Sequence, residues 1–107
     1  MKELEVLYQT ALERKANPQP GSYTSYLFDK GTQKILKKLS EECSEVVIAT
    51  LAQNKEDKVA EMADLLYHLV VLMADQDISI DDVNAELEKR SAKTGNLKAE
   101  RKPIENL

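Results

Sequence analysis

From Thr32 to Gln76 apolar residues recur at three- and four-residue steps, with one interruption, the short polar segment between Gln53 and Asp57. That periodicity predicts two long amphipathic helices, and so short a connection folds them back as an antiparallel hairpin. The first, expected over residues 32–53, carries Ile35, Leu36, Leu39, Cys43, Val46, Val47 and Thr50 on one stripe. Cys43 reads there as a small core residue. The second, expected over residues 55–76, carries Val59, Met62, Leu66, Leu69, Val70 and Met73, and Leu65, Val71 and Leu72 widen its stripe nearly all round. A helix apolar on most sides is buried between several others, so this one belongs at the centre of the fold or at a subunit interface.

The flanks fit the same architecture. Residues 2–16 read as a helix with Leu4, Leu7, Tyr8, Ala11 and Leu12 on one face, ended by Asn17, Pro18, Pro20 and Gly21. The aromatic-rich stretch 22–31 is expected to be a turn or a single helical turn. Ser79 and Asp82 form a capping-box pattern that opens a last helix to about Lys93, stopped by Gly95. Residues 95–107 are polar, contain Pro103 and are expected to form a loosely ordered tail. With three Gly, three Pro and no Trp, the chain is expected to be one all-α domain over residues 1–107. It is an antiparallel bundle of about four helices, and dimerisation would complete a core that is thin for a chain of this size.

Charge and cysteine usage narrow the function. A net charge of −4 argues against nucleic-acid binding, which needs a basic face to displace counterions. It leaves room for a small phosphorylated substrate, because a bound divalent cation reverses the local sign. A single cysteine, Cys43, rules out a disulfide framework and a cysteine-based zinc site. No apolar run approaches bilayer length and the N-terminus lacks a signal-type apolar stretch, so no membrane partner and a cytoplasmic location are expected.

The acids carry the chemistry. "KLSEECSEVV" places Glu41, Glu42 and Glu45 in the first long helix, and "AEMADLLYHL" places Glu61 and Asp64 in the second. Glu42 and Glu45 lie about 60° apart around their helix, as do Glu61 and Asp64 around theirs, and each pair flanks the apolar stripe. A hairpin turning near Gln53 brings Glu45 level with Glu61 and Glu42 level with Asp64. Two like charges about 4 Å apart cost about 4 kcal/mol at an effective dielectric of about 20. A divalent cation would compensate, and hard oxygen ligands suit Mg²⁺ or Mn²⁺. The other reading is a solvated acidic face, with Lys34, Lys37 and Lys38 pairing with Glu41 and Glu42. Lys38 lies one turn before the acids, between the angles of Glu42 and Glu45. His68, four residues after Asp64, can bond a metal-bound carboxylate or a substrate phosphate, or be satisfied inside the bundle.

"KKLSEECSEVVIA" followed by "EMADLLYHLVVLM" resembles the EExxE…ExxD signature of the MazG-like all-α nucleotide pyrophosphohydrolases. Within that group, "SYTSYLFDKGTQKILKK", "DLLYHL" and "ISIDDVNAELEKR" are similar to segments of the phosphoribosyl-ATP pyrophosphohydrolases of histidine biosynthesis, and together cover residues 22–90. Ser40 and Cys43 stand where members often carry glycine and alanine, a change that leaves the acids untouched. The resemblance implies that Glu42, Glu45, Glu61 and Asp64 bind Mg²⁺, that Glu41 supports the site or orients water, and that Lys38 faces substrate phosphates. Lys34 and His68 complete the candidate substrate-binding set. It also implies a homodimer that hydrolyses phosphoribosyl-ATP to phosphoribosyl-AMP and pyrophosphate. Two alternatives stand beside it: a housecleaning pyrophosphatase of non-standard nucleotides sharing the metal site, and a non-catalytic acidic helical oligomer.

Overall fold

A computed structural model describes residues 2–52 and 54–93. The described residues form five α-helices and no strand: α1 (Lys2–Ala16), α2 (Tyr23–Lys30), α3 (Thr32–Ala52), α4 (Lys55–Asp75) and α5 (Ile80–Ser91). The hairpin expected from the periodicity is α3 and α4, and α1 packs along α4. The expected tail and its stop at Gly95 lie outside the described residues.

The count exceeds the expected four because residues 22–31 form α2, a helix of eight residues, where a turn or a single helical turn was expected. A helix this short is marginal alone; tertiary burial stabilises it. Leu27 is fully buried against Ile35 and Val71, with Phe28, Tyr67 and Leu72 packed around them. Its ends are fixed by local hydrogen bonds. The Ser22 hydroxyl accepts from the Ser25 N–H at 3.1 Å, and the Ser25 hydroxyl accepts from the Gln19 N–H at 3.0 Å. Gly31, at φ 92° and ψ 179°, closes α2 by donating its N–H to Leu27 O and lets the chain turn straight into α3. That backbone region is essentially closed to residues with a Cβ.

α4 ends where its carbonyls find other donors. Asp77 adopts φ 58°, and the N–H groups of Asp77 and Ile78 donate to Ala74 O and Met73 O at 3.3 and 2.9 Å, a Schellman closure. The ammonium of Lys15 on α1 donates to Ala74 O at 2.9 Å and pairs with Asp77 at 3.3 Å, placing a cation on the negative end of the α4 dipole. The Ser79–Asp82 capping box forms as expected, with both bonds at 3.0 Å.

A second core cluster joins α1 to α4 through Tyr8, Ala11, Val70, Met73 and Ala74, with Leu4, Leu7, Leu12 and Ile80 against it. The α3 stripe needs correction. Its buried line is Ile35, Glu42 and Ala49, whereas Leu36, Cys43, Val47 and Thr50 are exposed. Cys43 is therefore a surface thiol, not a core residue. The expected stripe is wide enough to serve two faces, and α4 covers only the one that includes Glu42. On α4, likewise, Val59, Met62 and Leu69 are exposed. Among the described residues no helix is long and apolar enough to cross a membrane.

Gly31→Ala is expected to lower unfolding stability by about 1–3 kcal/mol through backbone strain alone, since nothing lies within 4 Å of the added methyl. Urea denaturation checks this: the midpoint should fall with an unchanged slope.

Candidate metal and phosphate site

The hairpin positions the acids. Glu42 occupies a seven-residue step midway between buried Ile35 and Ala49, so the packing of α3 on α4 takes its carboxylate inside, to 7% exposure. Glu45 follows one turn later at the exposed rim, and Glu61 on α4 is half-buried. One carboxylate oxygen from each of Glu42, Glu45 and Glu61 lies within 4.8 Å of the others. The expected pairing of Glu45 with Glu61 is thus present across the hairpin. Asp64 is exposed and outside this converging trio, although its negative charge is felt by both Glu42 and Glu61.

The trio is electrostatically unbalanced as it stands. Burial pushes the Glu42 carboxyl above the usual carboxylate range, reinforced by the charges of Glu45 and Asp64 and opposed by His68 and Lys38. Glu61 is also raised, first by its contact with the Glu45 carboxyl, then by burial and the charges of Glu45, Asp64 and Glu42. Oε2 of Glu42 and Oε2 of Glu61 are buried with no hydrogen-bond partner. An unsatisfied buried polar atom costs about 1–3 kcal/mol, more when charged. Two orphaned oxygens on members of a cluster of three acids, with no thiolate or imidazole in the set, match the donors a hard divalent cation takes. The residues fit such an ion.

The remaining candidates sit around the trio. The Lys38 ammonium pairs with Glu41 at 3.1 Å; this bond raises Lys38 and lowers Glu41 from their ordinary values. Glu41 is exposed and does not join the trio. Lys34 is half-buried one turn before Lys38, and its charge reaches Glu41.

His68 is satisfied inside the bundle, one of the two roles open to it in the sequence. It is 5% exposed, and its Nδ1 lies 2.8 Å from the carbonyl oxygen of Asp64. A carbonyl only accepts, so Nδ1 carries a proton; in the neutral ring Nε2 then accepts from the Tyr23 hydroxyl at 3.0 Å. Sequence reasoning missed Tyr23 and Tyr67 as neighbours of the site. Tyr23 stacks with Tyr67 and Tyr26, with centroids 6.1 and 6.0 Å apart, and Thr24 bonds the Tyr67 hydroxyl. Burial raises the Tyr23 phenol, against the charge of Lys38. The available signal was the aromatic spacing in "SYTSYLF", which has meaning only once α2 is seen to dock beside His68.

Comparisons with known proteins show the family of the chain. A family model described as phosphoribosyl-ATP pyrophosphohydrolase matches residues 4–91. The chain is similar to the phosphoribosyl-ATP pyrophosphatase of Clostridium novyi, 49% identical over 97% of this chain and 94% of the relative. It is 50% identical to the Clostridium acetobutylicum protein of the same name, with the same coverage. The Bacillus thuringiensis counterpart is 48% identical over 96% of this chain and 95% of its own length.

The raised carboxyls dictate a sign. A native state that holds protons more tightly than the unfolded chain loses stability as pH rises from the ordinary carboxylate range through the raised values. Glu42→Gln removes the most buried of these groups, so without divalent cation it should gain stability over wild type as pH rises above the ordinary carboxylate range. Thermal melts at several pH values measure it; a difference independent of pH contradicts the account.

Proposed function

Because the chain belongs to the phosphoribosyl-ATP pyrophosphohydrolase family, and is thereby a phosphoribosyl-ATP diphosphatase of histidine biosynthesis, we propose that Glu42, Glu45, Glu61 and Asp64 hold the Mg²⁺ ion of that reaction. The single observation carrying this is the convergence of three carboxylates with two unpartnered buried oxygens between α3 and α4. Mn²⁺ suits the same donors. The similarity runs through residues 22–38, outside the acidic motif, and favours phosphoribosyl-ATP over the non-standard nucleotides of the housecleaning alternative.

The reaction breaks the anhydride between the α- and β-phosphates and releases phosphoribosyl-AMP and pyrophosphate. A divalent cation held by these acids would supply positive charge for the phosphate oxygens and lower the pKa of a water molecule. The chain contributes rigidity: Glu42 and Glu61 are held by helix packing, so little reorganisation accompanies the charge that develops on the phosphates. Lys38, held by Glu41, and Lys34 offer positive charge to the phosphates from the adjacent turns of α3. Water is the nucleophile, since phosphoryl transfer of this kind needs placement and charge neutralisation more than covalent chemistry.

The working unit in this reading is a homodimer. Val47, Ile48 and Leu51 on α3 are 62%, 60% and 84% exposed, and Val59 on α4 is 56% exposed. An apolar face of this extent beside the site supports burial against a second copy. As an enzyme of amino-acid biosynthesis it is assigned to the cytoplasm.

Two measurements test the proposal. Glu61→Gln is expected to reduce pyrophosphate release from phosphoribosyl-ATP on the order of 100-fold or more, and millimolar Mg²⁺ should raise the melting temperature of wild type but not of the variant. Full activity in Glu61→Gln would remove the acids from the mechanism. Ile48→Asp should shift the sedimentation equilibrium towards monomer; an unchanged mass would exclude this face as the interface.

A further inference from the structure

Beyond the acids, the hairpin carries a second feature that the reaction above does not use. Moving away from the α3–α4 loop, α3 presents Glu45, Glu42 and then Lys38, and α4 presents Glu61, Asp64 and then Tyr67 and His68. Each step is one helical turn, about 5.4 Å. α2 crosses at the last level, where the Tyr23 hydroxyl meets His68 Nε2 at 3.0 Å. Tyr23 is close enough to the site to feel the charges of Lys38 and Glu42. In the other direction, residues 46–60 contain no aromatic side chain.

Tyr23 and Tyr26 stack at 6.0 Å with an interplanar angle of 23°. Although Leu27 beside them is fully buried, they remain 43% and 42% exposed. Tyr23 is fixed at both its ring and its hydroxyl, so the pair is a preorganised surface. The Lys30 ammonium lies 5.8 Å from the Tyr26 centroid, within cation–π range, and a positively charged base bound there takes its place.

This inference rests on phosphoribosyl-ATP being the substrate. That nucleotide carries its extra phosphoribosyl group on N1 of adenine. Alkylation at N1 makes the purine a much stronger base, so the ring is protonated and positively charged near neutral pH, unlike the adenine of ATP. We infer that Tyr23 and Tyr26 form the subsite for this cationic N1-substituted adenine, and that their π faces distinguish phosphoribosyl-ATP from ATP. With the polyphosphate at the acids, the base end extends along the hairpin towards Lys38 and α2. Electron-rich rings, with Glu42 close enough to act on Tyr23, complement a positive ring and gain little from a neutral one.

The test uses Tyr26, which is exposed and whose replacement leaves the core intact. Steady-state kinetics with Mg²⁺ are run on wild type, Tyr26→Ala and Tyr26→Phe, with phosphoribosyl-ATP as substrate and 1-methyl-ATP or ATP as inhibitor. Wild type should bind 1-methyl-ATP more tightly than ATP. Tyr26→Ala should raise KM for phosphoribosyl-ATP about tenfold, leave kcat within about twofold, and erase the preference for 1-methyl-ATP. Tyr26→Phe should retain both properties. A wild-type KM in Tyr26→Ala, or equal weakening of 1-methyl-ATP and ATP, overturns the subsite. Either result with intact wild-type turnover leaves the substrate assignment standing. Absence of turnover in wild type overturns that assignment and the subsite with it.

Discussion

The structure turns on one expensive placement, a carboxylate on the inner line of a packed helix hairpin. Glu42 stands where the repeat of Ile35 and Ala49 calls for an apolar side chain, and its oxygen meets two further acids instead of a donor. In water such acids would repel weakly; between two helices the repulsion is stronger and solvation cannot relieve it. The hairpin tolerates this because both helices run 21 residues and are anchored away from the acids by two apolar clusters.

Those anchors explain the other elements. α1 lies along the far half of α4, and Lys15 closes that helix's carbonyl end. α2, too short to persist alone, is pinned through Leu27 and turned by Gly31. Pinning α2 brings Tyr23 onto His68, whose other nitrogen holds the Asp64 carbonyl. A continuous chain of hydrogen bonds thereby ties the aromatic segment to the acid-bearing helix. The cost of gathering acids in one place is distributed over packing that lies elsewhere, a common arrangement where function opposes stability.

Much of this was legible in residue order. The two long periods gave the hairpin, the short polar connection gave its antiparallel sense, and the facing of Glu45 with Glu61 followed from counting residues to the turn. The Ser79–Asp82 cap was readable because capping is a local hydrogen-bond pattern. Cys43 is exposed rather than buried because a broad apolar stripe does not state which of its edges a neighbour covers; Leu36, Val47 and Thr50 share that ambiguity. α2 was underestimated because its stability comes from Leu27 meeting Ile35 and Val71, contacts with no local signature.

Sequence alone therefore determined the all-helical hairpin, the acids that face one another and the family to which their spacing points, because periodicity and turn length act through neighbouring residues. Tertiary structure decided which acid goes inside, that Asp64 stays at the rim, that His68 is occupied at both nitrogens, and that Tyr23 reaches His68 from a separate helix. Those outcomes depend on which faces meet when distant segments pack, and burial is a property of that meeting.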